Sequence, residues 1–214
     1  MLKVWGRKTS SNVQAVMWCI GELNLEYQRF DIGGKYGGND TPEFLSMNPN
    51  GTVPVLKDDE QAPLWESAAI LRYLASAYAS APFWPQNPAT RAPVDMWAEW
   101  SKLNFAQNFG VPLFWRVVRT APSQRDPKAI ADAIQKLIPI LKIAEYQFSR
   151  HEYLAGEHFS LADIQFGHIL YRYFTMEIER PDLPRLAAYY QRLTQRPAYQ
   201  EHVMVSYDDL RVLD

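Results

Sequence analysis

The sequence predicts an α+β protein in which a small mixed domain precedes a larger, all-helical one. Up to Ala79, short apolar segments rich in β-branched and aromatic residues alternate with helical patterns. The stretch from Ala81 to Pro88 then carries Pro82, Pro85 and Pro88 and reads as a connector. Beyond it no segment reads as a strand. The chain therefore divides into residues 1–79, a linker at 80–90 and a helical domain at 91–214.

Leu2–Gly6 is short, apolar and partly β-branched, a first strand. Ser10-Ser11-Asn12 offers a helix cap, and Val13, Val16, Met17, Ile20 and Leu23 follow at helical spacing. Tyr27–Ile32 alternates in part and predicts a second strand, followed by a glycine-rich loop at 33–40. Thr41 caps a short helix through Met47 with Pro42 at its first position. Val53–Lys57 is a third strand, Asp58–Gln61 a polar turn, and Ala62–Trp65 a short fourth strand. Ser67–Tyr78 is a helix with Ile70, Leu71, Leu74 and Tyr78 on one face. The order is β-α-β-α-β-β-α, with a parallel βαβ unit first and a hairpin last. In the second domain, Thr90–Phe109, Asp126–Ser149, Ser160–Phe174, Leu183–Thr194 and Pro197–Val203 carry helical patterns. Ser160 and Asp163 have capping-box spacing before an apolar run, which marks a buried helix start and assigns no chemistry to Asp163.

Hydrophobic residues make up 47% of the 214, enough for a packed core, and a net charge of −2 implies no general attraction to nucleic acid or to an anionic membrane. No apolar run approaches the length of a membrane span, and the N-terminus reads as a strand and not as a signal peptide. The single cysteine, Cys19, excludes an internal disulfide and fits a reducing compartment. It lies inside the first helix beside Val16 and Leu23, where a small buried hydrophobe is expected. The four histidines are scattered, so no metal site is expected.

The chemistry concentrates in Asn48-Pro49-Asn50-Gly51-Thr52-Val53-Pro54-Val55-Leu56 and, ten residues later, Trp65-Glu66-Ser67. A Val-Pro pair between a turn and an apolar strand suggests a proline held cis, with the N–H and C=O of Val53 turned outward to pair with an extended peptide. Glu66-Ser67 opens a helix whose free N–H groups suit a carboxylate. Together they describe a site for something small, peptidic and acidic.

These residues, with Ala68-Ala69-Ile70 and the later run Tyr153-Leu154-Ala155-Gly156-Glu157-His158-Phe159-Ser160-Leu161-Ala162-Asp163-Ile164, resemble the cytosolic glutathione S-transferase family along essentially the whole chain. The subgroup looks like the bacterial theta- and beta-like branches. The resemblance implies a thioredoxin-like N-terminal domain, a helical C-terminal domain, a homodimer, and a cytoplasmic enzyme of detoxification that takes glutathione as substrate or cosubstrate and needs no metal. In such sequences a side chain near the first helix serves the glutathione thiol. By that spacing Ser10 matches the serine that donates to sulfur, Asn12 falls where relatives also have asparagine, and Ser11 competes with Ser10 through a one-residue shift. The resemblance further implies that Glu66 takes the γ-glutamyl ammonium, Ser67 its carboxylate, and Val53, ahead of Pro54, the cysteine backbone. The family often has Gln, His or Lys at or before Thr52; here Lys35 is the expected partner of the glycine carboxylate.

The thiol has an ordinary pKa of about 8.5, so its activation needs a donor that prefers thiolate and a positive field such as a helix start. The electrophile pocket is expected between the domains against Asn104–Arg119, with Phe105, Phe109, Phe114 and Trp115 as walls. Arg7, Arg116 and Arg119 would hold an anionic substrate such as a haloacid. The leading expectation is a glutathione transferase. The alternatives are a glutathione-dependent dehalogenase or isomerase, or a non-catalytic binding protein of the same fold. The order Ser-Ser-Asn in place of Ser-Ser-Cys disfavours the isomerase.

Overall fold

The computed structural model describes residues 1–214. Leu2–Trp5 (β1), Tyr27–Phe30 (β2), Val55–Asp58 (β3) and Leu64–Trp65 (β4) form one sheet in the order β2-β1-β3-β4. β1 runs parallel to β2, with Val4 opposite Arg29, and antiparallel to β3, with Val4 opposite Leu56. β3 and β4 make the expected hairpin. This is the thioredoxin-like arrangement. β3 begins at Val55 and not at Val53, since Pro54 has no N–H to give a ladder.

Ser11–Glu22 (α1) crosses between β1 and β2. Its residues from Val13 to Ile20 are all buried, because it packs on the sheet, on Ser67–Tyr78 (α3), and on two helices of the second domain, Leu161–Gly167 (α8) and Pro197–His202 (α11). Gly6 lets β1 reach this helix closely; a Cβ there would lie 2.5 Å from Val13 Cγ2. Pro42–Met47 (α2) starts as expected, with the Thr41 hydroxyl accepting from Phe44 N–H.

The connector is pinned at Trp84, which is buried and donates through Nε1 to Ser76 Oγ at 3.0 Å. Pro88–Trp100 (α4) starts before the expected Thr90 and passes without interruption into a differently wound rod. Ser101–Ala106 is π-helical, Gln107–Phe109 (α5) α-helical, Gly110–Trp115 π-helical again, and Arg116–Val118 (α6) α-helical. Pro127–Phe148 (α7) follows. The expected helix Ser160–Phe174 is divided at His168 into α8 and Leu170–Thr175 (α9), and Pro184–Thr194 (α10) precedes α11. Gly167 ends α8 where a Cβ would meet Leu193 at 2.6 Å and Trp18 at 2.9 Å, so the two domains close on each other at that point.

The capping box at Ser160 and Asp163 is formed, and Asp163 does more than cap. Its fully buried carboxylate accepts from the backbone N–H of Leu154 at 2.9 Å and of Ser160 at 2.8 Å, and from the Tyr189 hydroxyl at 2.8 Å. Burial pushes its pKa up, and these donors oppose the rise. One side chain thus ties α8, α10 and the preceding loop together. Replacement Asp163→Ala strands those donors and is expected to lower stability by about 3 kcal/mol, read from urea unfolding.

Candidate active site

A cleft of about 550 Å³ opens between the domains. Its floor is the turn from Arg7 to Asn12 at the start of α1. One wall is the segment around Gly51–Val53. The other is the π-wound rod, which contributes Lys102, Ala106, Gln107, Gly110, Val111, Phe114, Trp115 and Arg119.

Ser10 is the residue preceding α1. Its backbone N–H donates to Arg7 O at 3.1 Å, and its carbonyl accepts the first helical bond from Gln14. Its side chain makes no capping hydrogen bond, so the hydroxyl is free on the cleft. α1 has no acidic residue in its first turn to cancel the positive end of the helix. Ser11 lies beside it in the cleft wall. Asn12 is engaged: its Oδ1 accepts from Ser67 Oγ at 3.2 Å and from Lys102 Nζ at 3.0 Å. Lys102 Nζ also donates to Ser67 Oγ at 3.1 Å. Burial pulls the Lys102 pKa down, and Glu66 opposes this. The start of α1, the start of α3 and the second domain therefore meet on one ammonium group.

The Val53–Pro54 peptide bond is cis. The N–H and C=O of Val53 take no hydrogen bond within the chain, and Val53 lines the cleft with Thr52 while Pro54 is buried behind them. Buried Asn48 shapes this loop, donating through Nδ2 to Thr52 O at 2.8 Å and accepting from Asn50 N–H at 3.0 Å. Asn39 Nδ2 donates to Gly51 O at 2.7 Å. Glu66 stands exposed at the head of α3 with a positive φ of 68°, and Ser67 is buried beside Lys102.

Four expectations are corrected. Phe105 is fully buried in the core and does not line the cleft. Phe109 is 1% exposed and packs in the core against Phe105, Phe114 and Tyr173, not on the cleft. Arg116 is exposed and lies outside the cleft wall. The reason is helical winding. The lining residues fall in rows of every fourth position: Lys102, Ala106, Gly110 and Phe114, and Gln107, Val111, Trp115 and Arg119. In an α-helix a four-residue step overshoots a turn by about 40° and such rows drift away. π turns, with hydrogen bonds from i to i+5, hold them aligned. Lys35 is also displaced. It lies outside the cleft wall and pairs with Asp209 near the C-terminus at 2.5 Å.

Lys102 and Arg172 were missed. Arg172 is 6% exposed and projects to the cleft floor, where its Nη2 donates to Thr9 O at 2.7 Å and to Gln14 Oε1 at 3.2 Å. Each is a lone cation inside an aromatic helical run, Trp97 to Phe105 and Tyr171 to Phe174. That is the available sequence signal: such a charge must find polar company. Cys19 is fully buried, and burial pushes its thiol far up, so it is no nucleophile.

Residues 1–76 match the family model for the glutathione S-transferase N-terminal domain, and residues 106–197 match the model for the C-terminal domain. "Glutathione S-transferase GstB" of Escherichia coli K12 is 35% identical over 96% of this chain and 99% of its own length. The chain belongs to the glutathione S-transferase family. A crystal structure of the theta class glutathione S-transferase from Xanthomonas axonopodis pv. citri, with glutathione bound, is 46% identical with a TM-score of 0.90, covering 96% of this chain and 98% of that one. "Glutathione S-transferase 3" of Zea mays is 31% identical over 94% of this chain and 93% of its own. No group of His, Cys, Asp and Glu side chains is placed to hold a metal ion, and no helix is long and apolar enough to cross a membrane.

His168 lines the cleft while 1% exposed, and burial, with Lys102 nearby, holds its pKa down to about 3. The unfolded chain binds that proton more readily, so the stability linked to His168 is whole above the unfolded value of about 6.5 and is lost as pH falls toward about 3. Unfolding free energies measured from neutral to acid pH should decline by up to about 1.4 kcal/mol per unit from this group, and His168→Gln should flatten the slope.

Proposed function

We propose that the chain is a glutathione S-transferase, activating the glutathione thiol for attack on a small electrophile. The observation that carries this reading is the convergence on one cleft of an unpaired backbone edge at Val53 and an uncommitted hydroxyl at the start of α1, with the start of α3 tied to that cleft through Ser67, Asn12 and Lys102. An extended tripeptide pairs its cysteine backbone with Val53 as an added strand would. Its γ-glutamyl carboxylate meets the N–H groups at Ser67 and the ammonium of Lys102, its ammonium meets Glu66, and Thr52 flanks the glycine end. The sulfur then lies at the start of α1.

There the Ser10 hydroxyl donates to thiolate, with Ser11 and Asn12 beside it. The helix end and the arginines of the cleft favour the charged form. Lowering the thiol by one pKa unit takes about 1.4 kcal/mol, within reach of one charge-assisted hydrogen bond. Holding thiolate and electrophile in contact supplies much of the remaining rate. Val111, Phe114 and Trp115, with Arg119, form the electrophile wall. The reading includes a homodimer in the cytoplasm, where glutathione is kept reduced, and a role in detoxification; sedimentation should give twice the 24.7 kDa chain mass.

Ser10→Ala should lower kcat by about 10²-fold, as loss of an anion-stabilising donor does, with little change in glutathione affinity by calorimetry. Lys102→Ala should do the reverse, raising the KM for glutathione about tenfold with kcat less affected. Equal effects on both constants in the two variants would reject this division of roles.

A further inference from the structure

The cleft holds four cations, Arg7, Lys102, Arg119 and Arg172, and not one of its 23 lining residues is an Asp or Glu. None of the four forms a salt bridge. Lys102 faces the start of α3. Arg172 reaches Thr9 and Gln14 at the start of α1, and Arg7 and Arg119 line the same cleft. Arg7 lies against Gly33 and Gly34; at Gly34, where φ is +60°, a Cβ would meet Arg7 Nε at 3.0 Å. Arg119 stacks on Trp115 at 4.4 Å, and Arg172 lies over Phe114 at 4.7 Å. Neutral faces and carbonyls hold these guanidiniums in place, but nothing neutralises them. The Nε atoms of Arg7 and Arg172 are buried without any hydrogen-bond partner.

Their closeness shows in their acidity. Burial, then Arg119, pulls the pKa of Arg7 down; burial, then Arg7, pulls that of Arg172 down to about 10. Three like charges, one fully buried, are costly to assemble unless an anion completes them. Arg116, which the sequence suggested, is not part of the set; Arg172 takes its place.

We propose that Arg7, Arg119 and Arg172 form a carboxylate-binding site and that the electrophile is a small anion whose carboxylate is bonded directly to the reacting carbon. The adjacency follows from Arg172, whose Nη2 donates to the carbonyl of Thr9, the residue before Ser10, at 2.7 Å, and from the shared cleft that Ser10 lines with all three arginines. This rests on the glutathione-transferase reading. For a 2-halo acid, the glutathione thiolate forms a C–S bond at the carbon beside the carboxylate, the halide leaves with the C–X electron pair, and the thiol proton passes to solvent. Arginines paired with the carboxylate offset its repulsion of the incoming thiolate, which a neutral electrophile never meets.

The test compares iodoacetate with iodoacetamide, which share the reacting carbon and leaving group and differ in charge. Cys19 is the sole cysteine and is buried, so neither reagent has an exposed thiol on the protein to consume it. Without enzyme the neutral amide is the faster alkylating agent. The proposal expects the enzyme to invert that order, with kcat/KM for iodoacetate at least tenfold above that for iodoacetamide. It expects propionate to compete with iodoacetate and propionamide not to. It also expects Arg119→Gln to lower the acid-to-amide ratio at least tenfold. Arg172→Lys probes the buried position, and the competition by propionate needs no variant. No turnover of iodoacetate, an equal or greater preference for the amide, or a ratio that Arg119→Gln leaves in place overturns the proposal. If Arg119→Gln weakens glutathione binding while the ratio holds, the cluster serves a carboxylate of glutathione and the proposal is likewise overturned. Failure of the underlying reading looks different: calorimetry then shows no glutathione binding to the unaltered protein.

Discussion

The burial of α1 on every side is the constraint on which the rest of the molecule depends. A helix that packs only one face can rock on its support. α1 is held by the sheet, by α3 and by the second domain, with Val13 to Ile20 removed from solvent. Glu22 anchors its far end, accepting from Trp18 Nε1 at 2.8 Å and from two nitrogens of Arg196 at 2.7 and 2.6 Å. Arg196 in turn covers Phe159 at 3.7 Å. The free end of the helix is thus a fixed reference, and Ser10 inherits its position from that packing and from its backbone bonds to Arg7 and Gln14.

The same arrangement explains the electrostatics of the cleft. α1 opens toward it with no acid in its first turn, and α3 starts beside Lys102 with Glu66 at its head. The start of α1 and four cations face one volume whose wall holds no carboxylate side chain, and Glu66 stands beyond it at the head of α3. Acids elsewhere are tied up at a distance, such as Asp58, which accepts from Tyr73 and Tyr78 behind the sheet. Cofolding of two domains therefore concentrates positive potential in one place while the whole chain carries a net charge of only −2. Overall charge is a poor guide to such a site.

Short-range physics made the element starts legible. Thr41 and Pro42, Ser160 and Asp163, and the alternation of short apolar strands with helical runs each act over a few residues, and each is found where the sequence puts it. Val53 was legible for the same reason. Lys102 and Arg172 were not, because what matters about them is which distant surfaces they meet. Lys102 bridges Asn12 and Ser67 across the domain boundary, and Arg172 reaches back to Thr9. Phe109 and Arg116 went astray through winding: a period of about 3.6 residues assigns faces wrongly along a rod containing two π turns.

That rod separates two duties along a single stretch of chain. Phe105, Phe109 and Leu113 stay on its inward side and hold the helical domain together. Gln107 and Val111 sit one step away on each turn and stand exposed on the cleft. Substitutions there can reshape the chamber, wider or narrower, oilier or more polar, while the scaffold beneath keeps its packing. A relative built on this plan can change diet without rebuilding its house.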